Sequence, residues 1–114
     1  MKELWKPIEG YEGLYEVSNF GRVKRKYLNG KELILKPIPN WKGYNRISLS
    51  NGKGKSKIYS IHRLVGKAFI PNPLNKQQIN HINGIKQDNY VDNLEWVTPQ
   101  ENCIHRNLIK YMLK

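Results

Sequence analysis

The sequence predicts an α+β protein, and three observations predict it. Short alternating segments broken by Asn-Gly and related turn signals fill the first sixty residues. One helical stripe follows at 61–69. The last forty residues then read strand, long polar loop, strand, helix. A small antiparallel β module with its linking helix is therefore expected over residues 1–73, and a separate ββα unit over 74–114. At 114 residues the two must share a modest core.

Each element has a local reason. GLYEVSNFGRVKRK sets Leu14–Val17 and Arg22–Lys26 on either side of a Ser-Asn-Phe-Gly turn, which predicts a hairpin. ELILKPI (32–38) reads as a third strand stopped by Pro37. YNRISLS (44–50) alternates, with Ile47 and Leu49 on one face and Arg46 and Ser48 on the other. Asn51-Gly52 tolerates positive φ and turns the chain into a return strand at Lys57–Ser60. In SIHRLVGKAFIPNP, Ile61, Leu64, Val65, Ala68 and Phe69 recur at helical spacing and predict a core-facing stripe. Ser60 can cap that helix and Pro71 ends it.

PNPLNK is a linker. Gln78–Ile82 is a strand, the loop after it opens at Asn83-Gly84, and Leu94–Val97 is its partner strand. Thr98, Pro99 and Glu101 then spell a helix start: a cap, a proline at the first helical position and the reciprocal glutamate of a capping box. Ile104, Leu108, Tyr111 and Met112 line one side of this last helix, while Asn102, His105 and Arg106 lie on another.

Composition narrows the function. With 39% hydrophobic residues the chain is not disordered, and it holds no run of about 18 apolar residues. Its first residues, MKELWKPIEGYEG, lack a signal-peptide segment, so a cytoplasmic protein without membrane contact is expected. Cys103 is the single cysteine, which excludes an internal disulfide. Any metal would be held by oxygen and imidazole ligands. Twenty Lys/Arg against nine Asp/Glu give a net charge of +11, concentrated in residues 1–60, where 13 basic groups face 5 acidic ones. Such an excess draws in polyanions. Interleaved with aromatics, it predicts a folded nucleic-acid binder. Arg22, Lys24, Arg25, Lys26, Arg46 and Lys53, at or beside hairpins, are candidate phosphate contacts, as are Arg63 and Arg106 on the helices. The alternative for each is a solvated basic face.

The densest chemistry lies in NHINGIKQDNYVDNLEWVTPQENCIH (80–105), where two histidines bracket a series of asparagines. Helical geometry sets Asn102 near Arg106 with His105 adjacent. If the helix packs on the hairpin, that surface faces Asn80 and His81. Phosphodiester hydrolysis needs a base to deprotonate water and a hard cation to neutralise the phosphate, and these residue types supply both.

NHINGIKQDNYVDNLEWVTPQEN resembles the HNH motif of phage and intron-encoded homing endonucleases. WKPIEGYEGLYEVSNFGRVKR resembles the DNA-binding module that often precedes it, and IHRLVGKAFIPNP the segment that joins the two. The three blocks, in that order, run from about Leu4 to His105. The resemblance implies a ββα-metal nuclease that cuts double-stranded DNA with one divalent ion, Mg²⁺ or Mn²⁺. It implies His81 as general base and Asn80 as a metal ligand. Asn93, twelve positions after His81, would brace the loop and orient the base. Asn102, nine further on, would be the second ligand, and His105 an additional or alternative one. One metal site implies nicking by a monomer, or a double-strand break by a dimer. Many members carry Asp or His where this chain has Asn80, which opens a second reading: a DNA-binding protein of the same fold with a weak or inactive site.

Overall fold

The computed structural model describes residues 2–112, with side chains through Leu108. Three antiparallel sheets and two helices follow one another along the chain. The first sheet holds β1 (Trp5–Pro7), β2 (Tyr15–Ser18), β3 (Val23–Lys26) and β4 (Glu32–Ile34) in that order. The second holds β5 (Ile38–Pro39), β6 (Asn45–Ser50) and β7 (Ser56–Ser60). Helix α1 (Ile61–Phe69) leads to a two-stranded sheet of β8 (Gln78–His81) and β9 (Leu94–Val97), and α2 (Pro99–Met112) closes the fold. The α+β class expected from the sequence is the one observed. No helix among the described residues is long and apolar enough to cross a membrane.

One strand escapes the sequence reading and one segment is misread. Trp5–Pro7 is too short to show alternation and carries a proline. It is tolerated because β1 is an edge strand paired to β2 alone. The segment 32–38 is not a single strand: β4 ends at Ile34, and Ile38 begins β5 in a different sheet. Pro37 marks that change of sheet, because it has no N–H to continue a ladder.

Helix α1 is the pivot of the core. Ile61, Leu64 and Val65 are buried on its inner face, each contributing roughly 2 kcal/mol of transfer free energy. They pack into one cluster with Ile8, just after β1, Val17 and Val23 of the first sheet, Ile47 and Leu49 of the second, and Ile79 and Leu94 of the last hairpin. Ser60 occupies the N-cap position but its side chain makes no cap hydrogen bond, contrary to expectation. As the last residue of β7 it is already held opposite Arg46 in the ladder. Helix α1 ends where expected: Ile70, before Pro71, is extended at φ −112° and ψ 115°. Gly66 lies where α1 crosses the last hairpin, and a Cβ there would meet Ile79 Cδ1 at 1.9 Å.

The capping box of α2 is formed in both directions. Glu101 N donates to Thr98 Oγ1 at 3.1 Å, and Thr98 N donates to Glu101 Oε1 at 3.0 Å. Thr98→Ala is expected to destabilise α2 by about 1 kcal/mol, seen as faster amide exchange in its first turn. The apolar stripe of this helix does not face the hairpin. Ile104 and Leu108 are more than half exposed, and the side chains of Tyr111 and Met112 lie outside the described residues. The polar face, with Asn102, is the one turned to β8, where Asn102 Nδ2 donates to Gln78 Oε1.

Candidate active site

A cavity of about 130 Å³ opens between β8, the loop after it, the β5–β6 turn and α2. Asn80, His81, Asn102, His105 and Arg106, separated by up to 26 positions in sequence, line it together with Tyr44 and Lys86. The spatial convergence expected from the motif is therefore present.

β8 delivers the first two groups. Strand alternation sends Asn80 and His81 to opposite faces, yet both are buried, because β8 is covered by α1 on one side and α2 on the other. The imidazole of His81 is fixed by a 2.8 Å hydrogen bond between its Nε2 and Asn89 Oδ1. An amide oxygen only accepts, so Nε2 carries the hydrogen and Nδ1 keeps the lone pair. Burial lowers the His81 pKa. The bond to Asn89 and the charge of Asp88 oppose that shift, and the charge of Lys86 adds to it.

The two amides are oriented by their neighbours. Asn80 Nδ2 donates to Glu95 Oε1 across the ladder at 3.0 Å, and Asn102 Nδ2 donates to Gln78 Oε1 at 2.9 Å. A carboxylate only accepts, so Asn80 must offer it the NH₂ group and keep Oδ1 for another partner. His105 Nε2 is buried with no hydrogen-bond partner among the described residues. Two amide oxygens and one unpartnered imidazole nitrogen on a common cavity suit a hard divalent cation that retains waters.

Asn93 holds the intervening loop. Its Oδ1 accepts from Asn83 N at 3.0 Å, its Nδ2 donates to Asp88 O at 2.8 Å, and its carbonyl accepts from Ile82 N. The group bonded to the imidazole is Asn89, which the sequence reading passed over as one more loop asparagine. Nothing in its spacing singles it out; only burial, at 5% exposure, does.

His62 is a second residue whose place the sequence does not reveal. It lies off the α1 core stripe, yet its ring centroid is 5.0 Å from that of His81 and 5.3 Å from Tyr44. Its pKa is pushed down to about 4, by burial first, then by His81 and Arg63. The unfolded chain takes up a proton near pH 6.5 that the folded chain refuses until about pH 4. The stability tied to this site is complete above pH 6.5 and is lost as the pH falls through about 4, to a total of roughly 3 kcal/mol. Urea unfolding of His62→Gln should accordingly lose less stability over that interval than the parent.

The basic residues named from sequence differ in their surroundings. Arg22 is ion-paired with Glu3, Lys24 with Glu16 and Glu32, and Lys26 with Glu16. Arg25 lies over the Tyr15 and Tyr27 rings, and Arg63 donates to Gln77 O beneath Trp96. Arg46 Nε is buried with no hydrogen-bond partner among the described residues, and Lys53 is exposed on its turn. Arg106 lines the cavity itself, with Lys86, which the sequence reading did not name.

A two-stranded hairpin and following helix, with a histidine at the end of the first strand and asparagines of that strand and the helix lining one cavity, form the ββα arrangement of HNH nucleases. The chain belongs to the HNH endonuclease family: residues 59–103 match the HNH endonuclease model, and residues 3–50 match the NUMOD4 motif. It is similar to an uncharacterised HNH endonuclease of Acanthamoeba polyphaga mimivirus, 45% identical over 107 residues, covering 90% of this chain and 26% of that protein. It is also similar to the DNA endonuclease I-HmuI of Bacillus phage SP01, 43% identical over 98 residues, covering 86% of this chain and 54% of that protein. A solved structure of the HNH homing endonuclease I-HmuI, on its DNA binding and cleavage, superposes with a TM-score of 0.80 at 38% identity, covering 97% of this chain and 61% of that one. The chain thus spans between 26% and 61% of the lengths of these relatives.

Proposed function

We propose that the protein is a divalent-metal-dependent endonuclease that hydrolyses one phosphodiester of double-stranded DNA per engagement. The observation that carries this reading is the orientation of the two amides. Glu95 and Gln78 hold the NH₂ groups of Asn80 and Asn102, leaving both oxygens for a cation in a cavity that also holds His81.

In this reading His81 Nδ1 takes the proton of an attacking water as its oxygen bonds to phosphorus and the bond to the leaving sugar oxygen breaks. Asn89 keeps the required tautomer through Nε2, and Asn93 keeps the loop closed around it. Arg106 and Lys86 bring positive charge to the phosphate oxygens. A divalent ion held by Asn80 and Asn102, with His105 Nε2 on the same cavity, would stabilise charge on the phosphate and leaving oxygen. The likeness to I-HmuI, which is named for DNA cleavage, supports DNA as the substrate.

The test is conversion of supercoiled plasmid to nicked circles with Mn²⁺ or Mg²⁺, abolished by chelator. Plasmid left intact in both metals, but bound with the same affinity in chelator, would instead support a binding protein with a decayed site. The neutral amide at Asn80 motivates that second reading.

A further inference from the structure

The turn between β5 and β6 presents Trp41 to solvent with 89% of its surface exposed. The turn itself is well held. Asn40 Oδ1 accepts from Lys42 N at 3.0 Å and from Tyr44 N at 2.9 Å, and Gly43 N donates to Asn40 O with Gly43 at φ +91°. A flexible loop could fold a large indole back onto the protein; this turn holds it outward.

The turn is also fastened to the candidate active site. Lys86 Nζ, from the loop after β8, donates to Lys42 O at 2.8 Å, and both Lys86 and Tyr44 line the cavity. The Tyr44 ring lies 5.8 Å from His81. Tyr44 is three residues along the chain from Trp41, a Cα-to-Cα reach of at most about 10 Å. That is roughly three nucleotide steps along one DNA strand.

The surroundings of Trp41 are cationic. Lys42 Nζ lies 5.1 Å from the Trp41 ring centroid, and Lys86 Nζ lies 5.0 Å from that of Tyr44. A cation-flanked aromatic ring held on a rigid turn of a +11 protein has the make-up of a base-stacking platform. Apolar side chains pushed between base steps also unstack them and kink the duplex, opening the backbone. We infer that Trp41 stacks on an unstacked DNA base within a few steps of the scissile phosphate, and so fixes the register of the strand over His81. The inference rests on the DNA-cleavage reading above.

The full chain is titrated with a short duplex in chelator, so that no cleavage is needed, while tryptophan emission and affinity are followed across a salt series. Emission is expected to be quenched on binding. Trp41→Phe, which leaves Trp5 and Trp96, should lose most of that quenching. Trp41→Ala should bind roughly tenfold more weakly. Its salt dependence should keep the parent's slope, because no phosphate contact is lost. Its thermal unfolding should match the parent, because an exposed ring adds nothing to the core.

Equal quenching in Trp41→Phe, or undiminished affinity in Trp41→Ala, overturns the inference. So does a concentration-dependent dimer that Trp41→Ala abolishes, which would assign the ring to a protein contact. Plasmid nicking by the parent is measured alongside. Its failure would sink the cleavage reading alone, since the stacking result is obtained without catalysis.

Discussion

Plasmid nicking by His81→Ala is expected to be slower than the parent by a factor of about 10²–10⁴, the usual contribution of a positioned general base. The imidazole is buried, held by Asn89 through Nε2, and has Nδ1 as its basic nitrogen. Alanine removes that nitrogen and leaves Asn89 Oδ1 buried without its donor, so some stability should be lost as well. Duplex affinity in chelator should hold, because the cavity cations Arg106 and Lys86 are untouched. The checking measurement is single-turnover nicking at saturating protein, with binding followed separately. A variant that cuts at the parental rate would place the base elsewhere, and the adjacent His62 would become the first group to test.

Gly21→Ala is expected to be the most disruptive single methyl that can be added to the front of the molecule. Gly21 sits at φ +86°, and a Cβ there would lie 2.8 Å from both Cβ and the carbonyl oxygen of Asn89. The left-handed backbone penalises an L side chain by roughly 1–2 kcal/mol, and overpacking against fixed backbone adds about 1–3 kcal/mol. Loss of about 3 kcal/mol would lower the melting temperature by on the order of 10 °C or more in a chain of this size. Gly10 supplies the control. It has the same φ of +86° but open space around its missing side chain, so Gly10→Ala should show only the backbone part. Because the displaced residue is the partner of His81, the Gly21 variant should also nick more slowly at temperatures where it remains folded.

Much of this architecture is written locally. The α1 stripe, the Asn-Gly turns and the capping box at Thr98–Glu101 are each determined by residues within one or two turns of chain, and each forms as read. The placement of Asn80, His81 and Asn102 on one cavity is legible because motif spacing constrains a hairpin and its helix together. What was not legible depends on distant neighbours. Asn89 gains its meaning from His81 and Gly21, and His62 from the His81 ring, nineteen positions away. Trp5–Pro7 becomes a strand only because β2 offers it an edge. The exposed Ile104 and Leu108 show the converse: helical spacing defines a face without saying which way that face turns.

The grip of the front module on the loop is closer than a tether. Val91 N donates to Asn19 O at 2.9 Å, Phe20 stacks on Tyr90 at 5.1 Å, and Gly21 lies flush against Asn89. The residue that steadies the proposed base is itself steadied by a turn some seventy positions upstream. Joining this hairpin and helix to a foreign leading module would therefore exchange part of the scaffold that steadies His81 as well. Only fusions that keep a bare α-carbon and a stacking ring in that turn should retain speed.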